Sequence, residues 1–88
     1  MANPLELPEI KFGKLAKIEM LRIGEKRLDR NVAVIEWFAL NVVNCAPRTL
    51  YRLLTLDIDQ WTFGQVRRLQ KFLMSPLIDA YIEEAKNR

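Results

Sequence analysis

Ten of the twelve residues from Val32 to Val43 are apolar, and only Glu36 and Asn41 interrupt the run. A helix on the surface of a domain keeps one face polar, so a segment apolar nearly all round belongs at the centre of a fold or beneath a second surface. The whole chain has 88 residues, enough for one domain with one core. Enclosing such a helix takes most of the partners so short a chain can provide. The segment is therefore expected to be the axis of the domain, or to leave one side for another chain to cover.

Half of the residues are apolar and 28% are charged, a globular rather than a disordered composition. There is no histidine and one cysteine. That excludes a disulfide scaffold, a zinc finger and any mechanism built on a histidine base or ligand. A binding or assembly protein and a small nucleic-acid binder remain ahead of an enzyme. Asp57 and Asp59 lack the further oxygen ligands and turn glycine of a calcium loop and read as turn or capping residues. Gly13, Gly24 and Gly64 are too scattered for a phosphate loop, and Thr49 and Tyr51 have no base close in sequence. Cys45 reads as a small buried hydrophobe. No catalytic residue, metal or cofactor is expected.

The start of the chain has no basic segment followed by an apolar stretch, so a signal peptide is not expected. No run is long enough to span a membrane, and a lone free thiol fits a reducing cytoplasm. The net charge of +3 comes from 14 basic and 11 acidic residues, spread without a block of one sign. It permits contact with a polyanion without demanding one.

The expected fold is mainly α, a single-domain bundle of about four helices over residues 10–88, preceded by an extended arm at 1–9 with two prolines. Residues 10–23 admit two readings. Ile10, Phe12, Ile18 and Met20 suit a short β-hairpin turning at Gly13-Lys14. Leu15, Ile18 and Leu21 suit a helix with Lys14, Lys17 and Glu19 outside. In either case Gly24 is expected to end the element.

Asp29 or Asn31 can cap the apolar helix. Asn44 then suits a left-handed stop and Pro47 the first position of a short helix with Leu50, Leu53 and Leu54 inward. Leu56-Asp57-Ile58-Asp59 reads as a loop. Thr62-Phe63-Gly64-Gln65 spells a capping box, opening a helix to about Met74 with Val66, Leu69 and Leu73 inward. Ser75-Pro76 starts a last helix carrying Ile78, Ile82 and Ala85 at helical spacing, and Glu84 can pair with Arg88.

The order of these elements, from Pro8-x-Ile10-x-Phe12-Gly13-Lys14 and Ile18-Glu19-Met20-Leu21-Arg22 to Phe72-Leu73, resembles the small tail assembly chaperones of long-tailed phages, the Mu-like kind nearest. Between them stand the apolar Leu40 to Val43, the turn Cys45-Ala46-Pro47, the leucine helix Leu50 to Leu54, and Leu56-Asp57-Ile58-Asp59. The resemblance covers roughly residues 8–74. It implies a non-enzymatic protein that binds the helical tape-measure protein, keeps it soluble and helps tail-tube subunits assemble, in the host cytoplasm.

A chaperone for an amphipathic helix needs an apolar groove with a charged rim. Val34, Trp37 and Phe38 of the apolar helix can line it, Trp61 and Phe63 can anchor the partner, and Arg67, Arg68 and Lys71 can form the rim. Two alternatives remain. One is a helix-turn-helix that reads DNA with residues 47–54. Ala39, Leu40, Val43, Cys45, Leu50 and Leu53 would point inward, and Arg48, Thr49, Tyr51 and Arg52 toward phosphates and base edges. The other is a homo-oligomeric structural subunit of a virion, in which copies cover one another's apolar helix.

Overall fold

The computed structural model describes residues 10–28 and 33–87, and the fold among them is entirely helical. Helix α1 runs Phe12–Arg27, α2 Val34–Phe38 and α3 Pro47–Leu53. Helix α4 spans Phe63–Leu73 and α5 Pro76–Lys86. A π-helical segment, Ala39–Val43, continues α2, and a 3-10 turn, Ile58–Gln60, precedes α4. Among the described residues no helix is long and apolar enough to cross a membrane. The arm at 1–9, the caps Asp29 and Asn31 and the pairing of Glu84 with Arg88 lie outside the described residues.

The hairpin reading of residues 10–23 gives way to α1. No side chain caps its first turn locally. Instead the amide of Phe12 donates to Oδ1 of Asp57 at 3.2 Å and that of Gly13 to the Leu56 carbonyl at 2.9 Å. The helix start is thus satisfied from a loop far along the chain. Gly13 is a packing residue, not a turn: a Cβ there would lie 2.3 Å from the Leu53 carbonyl oxygen. Gly24 does not end the helix either, because it gives Val34 room, and a Cβ would come within 2.6 Å of Val34 Cγ1.

The phase of α1 also differs from the expected one. Phe12, Leu15, Ala16, Glu19 and Met20 are buried, whereas Ile18 and Leu21 are exposed. The buried Glu19 carboxylate accepts from Arg22 Nε at 2.7 Å and from the Ser75 hydroxyl. Ser75 Oγ in turn accepts from the Ile78 amide at the start of α5. A glutamate enters the core here because every donor it needs is supplied there. The Arg22 bond and the Ser75 hydroxyl hold it below the ordinary glutamate range against the opposing effect of burial.

Helix α2 and its π-helical continuation form the axis of the domain. Ile35, Phe38, Ala39, Val42 and Val43 are buried, packed against α1, α3 and α4. Leu40, expected inward in the helix-turn-helix reading, is 62% exposed. It stands four residues after Glu36 and so shares that outward face. The π turn closes on the Ala39 carbonyl, which accepts from the amides of Asn44 and Cys45, the latter at 2.8 Å. Asn44 takes the left-handed conformation, φ 62°, ψ 55°, and Pro47 opens α3, both as the sequence implies.

The later helices follow their sequence signals. Leu50, Leu53 and Leu54 are buried. Thr62 and Gln65 make the reciprocal capping box at 3.1 and 2.9 Å, and Val66, Leu69 and Leu73 turn inward. The loop Leu56-Asp57-Ile58-Asp59 tightens into the 3-10 turn, capped by Asp57 through the Ile58 amide at 2.8 Å. Helix α5 buries Tyr81 beside Ile78 and Ile82. The Phe12 ring meets Trp61 edge-on at 5.0 Å and Tyr81 at 5.6 Å, joining the start of α1 to the approach to α4 and the middle of α5.

Candidate functional site

The eight side chains expected to bind a partner do not form one surface. Phe38 is fully buried, with its ring against Trp37 at 5.5 Å and Phe72 at 5.3 Å. Trp61 is also in the core, and its indole Nε1 donates to the Leu53 carbonyl at 3.0 Å. Both rings hold the fold together, and Phe38 presents nothing to a partner. Val34 and Trp37 are half-buried on the outer edge of the axis. Among residues 33–43 the large apolar side chains are thus mostly taken up within the domain, with Leu40 left exposed.

The basic residues divide as well. Arg67 and Lys71 are exposed on α4. Arg68 reaches back to the π-helical segment, and its Nη1 donates to the Val43 carbonyl at 3.1 Å, satisfying the end of the π turn. Arg27, which the sequence does not mark, plays the same part for α4. Its Nη1 donates to the Phe72 carbonyl at 3.1 Å, and its guanidinium lies 4.4 Å from the centre of the Phe72 ring.

Phe63, Arg67 and the buried Trp61 do share one feature, a groove of about 470 Å³ between α4 and α5. The buried Val66 and Ile82 line it together with Ala85 and Ile58, and Arg67, Lys86 and Asp59 supply its charged side chains. Phe63 is 74% exposed at its mouth. Phe63 stands one turn before Val66 on the same side of α4, but as the first residue of the helix it lies beyond the packed stripe. The capping box fixes where the helix begins and hence where that ring stands. Gln70 Nε2 donates to Asp79 at 3.1 Å and ties the two walls together.

Ile58, Ile82, Ala85 and Lys86 were not singled out as binding residues. The helical spacing of Ile78, Ile82 and Ala85 reads as a plain core stripe. What makes its far end part of a groove is that Ile82 and Ala85 of α5 line it together with Phe63 and Val66 of α4, a pairing that only the tertiary structure shows.

The alternative DNA-reading set lies on α3. Arg48, Tyr51 and Arg52 are exposed and Thr49 is half-buried. Helix α3 has seven residues, and Ala46 gives it no side-chain cap. Among the remaining candidates, Asp57 is a capping residue, as its position implies, and Asp59 bonds to Gln60. The thiol of Cys45 is half-buried, and burial pushes its pKa up. Among the described residues no three His, Cys, Asp or Glu side chains gather as metal ligands would. Comparison of the chain with known protein families, curated proteins and solved structures finds no match.

Proposed function

We propose that this chain is a non-enzymatic assembly protein whose α4–α5 groove receives an amphipathic helix of a protein partner. The observation that carries this reading is Phe63, a large aromatic ring left in solvent at the mouth of an apolar groove with Arg67 and Lys86 beside it. Exposed aromatics next to a partly formed pocket are typical anchors of protein interfaces. The resemblance to tail assembly chaperones gives the partner a class, the helical tape-measure protein of a long-tailed phage, and gives the complex a place in the host cytoplasm.

The test is titration of the purified chain with synthetic amphipathic segments of tape-measure proteins, followed by fluorescence anisotropy. Saturable binding that is lost in Phe63→Ser and weakened in Arg67→Glu supports the proposal. No binding to any segment, or binding indifferent to both substitutions, overturns it. Sedimentation of the free chain separates this role from that of a self-assembling virion subunit, which would form a defined oligomer without a partner.

A second reading, DNA recognition by α3, is favoured by the left-handed turn at Asn44 and the exposed Arg48 and Arg52. Seven residues give α3 about two turns, which is short for a helix lying in the major groove. A salt-dependent shift of duplex DNA, abolished in Arg48→Ala with Arg52→Ala, would favour it over the groove.

A further inference from the structure

A second groove runs along the outer face of α1 and meets the end of α3. Ile18, Leu21 and Leu54 form its floor, and Lys11, Lys14 and Lys17 line it. It encloses about 630 Å³. Ile18 and Leu21 are 49% and 39% exposed, because Glu19, Met20 and the two glycines occupy the inward side of α1. Lys14 and Lys17 stand about one turn apart on α1, and Lys11 is the extended residue just before it. Among the described residues no acidic side chain lines the groove. None of the three lysines enters an ion pair among the described residues. Charge of one sign beside a concave apolar floor draws a ligand that combines the opposite charge with an apolar body.

We propose that this α1 groove binds an acidic amphipathic helix. Leu or Ile side chains of the ligand fill the floor, and Glu or Asp side chains a turn apart face Lys11, Lys14 and Lys17. The concave shape suits a helix better than the plane of a bilayer. The floor is aliphatic and carries neither the aromatic platform nor the arginine forks by which nucleic-acid bases are held. The site shares no residue with the α4–α5 groove, so either can fail while the other stands.

The test uses the full chain and a fluorescent synthetic helix of about 16 residues, with Leu at i, i+3, i+4 and i+7 and Glu between. Anisotropy should report saturable binding that weakens as salt is raised. Lys14→Glu, Lys17→Glu and Leu21→Ser should each weaken it roughly five- to tenfold. Lys26→Glu makes the same change of charge on α1 outside the groove and should leave it within about twofold. Circular dichroism establishes that each variant is folded. The proposal is overturned if Lys26→Glu costs as much as Lys14→Glu, or if the same helix with Lys in place of Glu binds equally well. Tighter binding to phosphatidylglycerol vesicles or to a duplex oligonucleotide than to the acidic helix also overturns it.

Discussion

The hydroxyl of Tyr81 donates to Oδ1 of Asp57 at 2.7 Å, and the same oxygen accepts from the amides of Phe12 and Ile58. One carboxylate thus joins the start of α1, the 3-10 turn and the middle of α5. It serves as the N-cap of two helical segments at once, one of them remote in sequence. The Tyr81 hydroxyl also lies 3.1 Å from the Ile10 carbonyl, which draws the residue before α1 into the same junction.

Asp57→Ala should therefore lower unfolding free energy by about 2–4 kcal/mol, since it takes the acceptor from the Phe12 and Ile58 amides at two helix starts and the shorter of the Tyr81 hydroxyl's two bonds. Tyr81→Phe, which keeps the ring, should cost about 1 kcal/mol. Urea unfolding of both single variants and the double variant measures the coupling. Strict additivity would show that the Tyr81–Asp57 bond contributes nothing of its own.

Stability should also depend on pH through Glu19. Its folded pKa is depressed, first by the hydrogen bond from Arg22. The contribution is therefore fully present above the unfolded value of about 4.3 and is lost as pH falls through the lower folded value. Glu19→Gln should cost on the order of 1–2 kcal/mol at neutral pH, and its gap from the parent chain should narrow below about pH 4. Chemical unfolding across that range decides this. A gap independent of pH would mean that the carboxylate titrates alike in the folded and the unfolded chain, with no depression on folding.

Gly13 and Gly64 should respond in opposite directions. At Gly13 a methyl group meets the Leu53 and Leu54 backbone, which cannot swing aside as a flexible side chain can. Gly13→Ala should lose about 2–4 kcal/mol. At Gly64 the nearest atoms belong to the Arg68 guanidinium at 3.5 Å. Gly64→Ala should gain about 0.5 kcal/mol through helix propensity. Thermal melts of the two variants check both signs.

Met74 closes α4 in the left-handed conformation, φ 48°, ψ 43°, with its side chain mostly in solvent. A Cβ is unfavourable there, and nothing buried is lost by removing the side chain. Met74→Gly should raise stability by about 0.5–1 kcal/mol, read from the urea midpoint at unchanged slope.

Trp61 and Phe63, two residues apart, should separate stability from binding. Trp61→Phe removes the indole donor from the Leu53 carbonyl and should cost about 1–3 kcal/mol. Phe63→Ser should stay within about 0.5 kcal/mol of the parent chain while weakening binding of a partner helix at least about tenfold. Unfolding and anisotropy titrations on the same samples test the pair.

Local signals were sufficient wherever one residue type answers one backbone need. Asn44 at the left-handed stop, Pro47 and Pro76 at first helical positions, the Thr62–Gln65 box and the Ser75 cap were all readable from neighbours within four residues. The first helix was not. Its N-terminal amides are satisfied by Asp57 and Leu56, more than forty positions away, so no capping residue marks where it begins. Glu19 broke the polar-outside rule for the same reason, its hydroxyl partner being Ser75 across the fold. Trp61 and Phe63 looked alike as candidate anchors. Burial distinguishes them, and it depends on which side of the start of α4 meets α1.

What the chain settles locally is its all-helical later half and the apolar axis at 34–43, since capping and side-chain periodicity act over a turn or two of backbone. What only tertiary structure decides is the phase of α1, the fate of each aromatic, and the two grooves. Those depend on how whole helices are placed against one another, and here that placement rests on close contacts at Gly13 and Gly24 and on the bonds to Asp57 and Glu19.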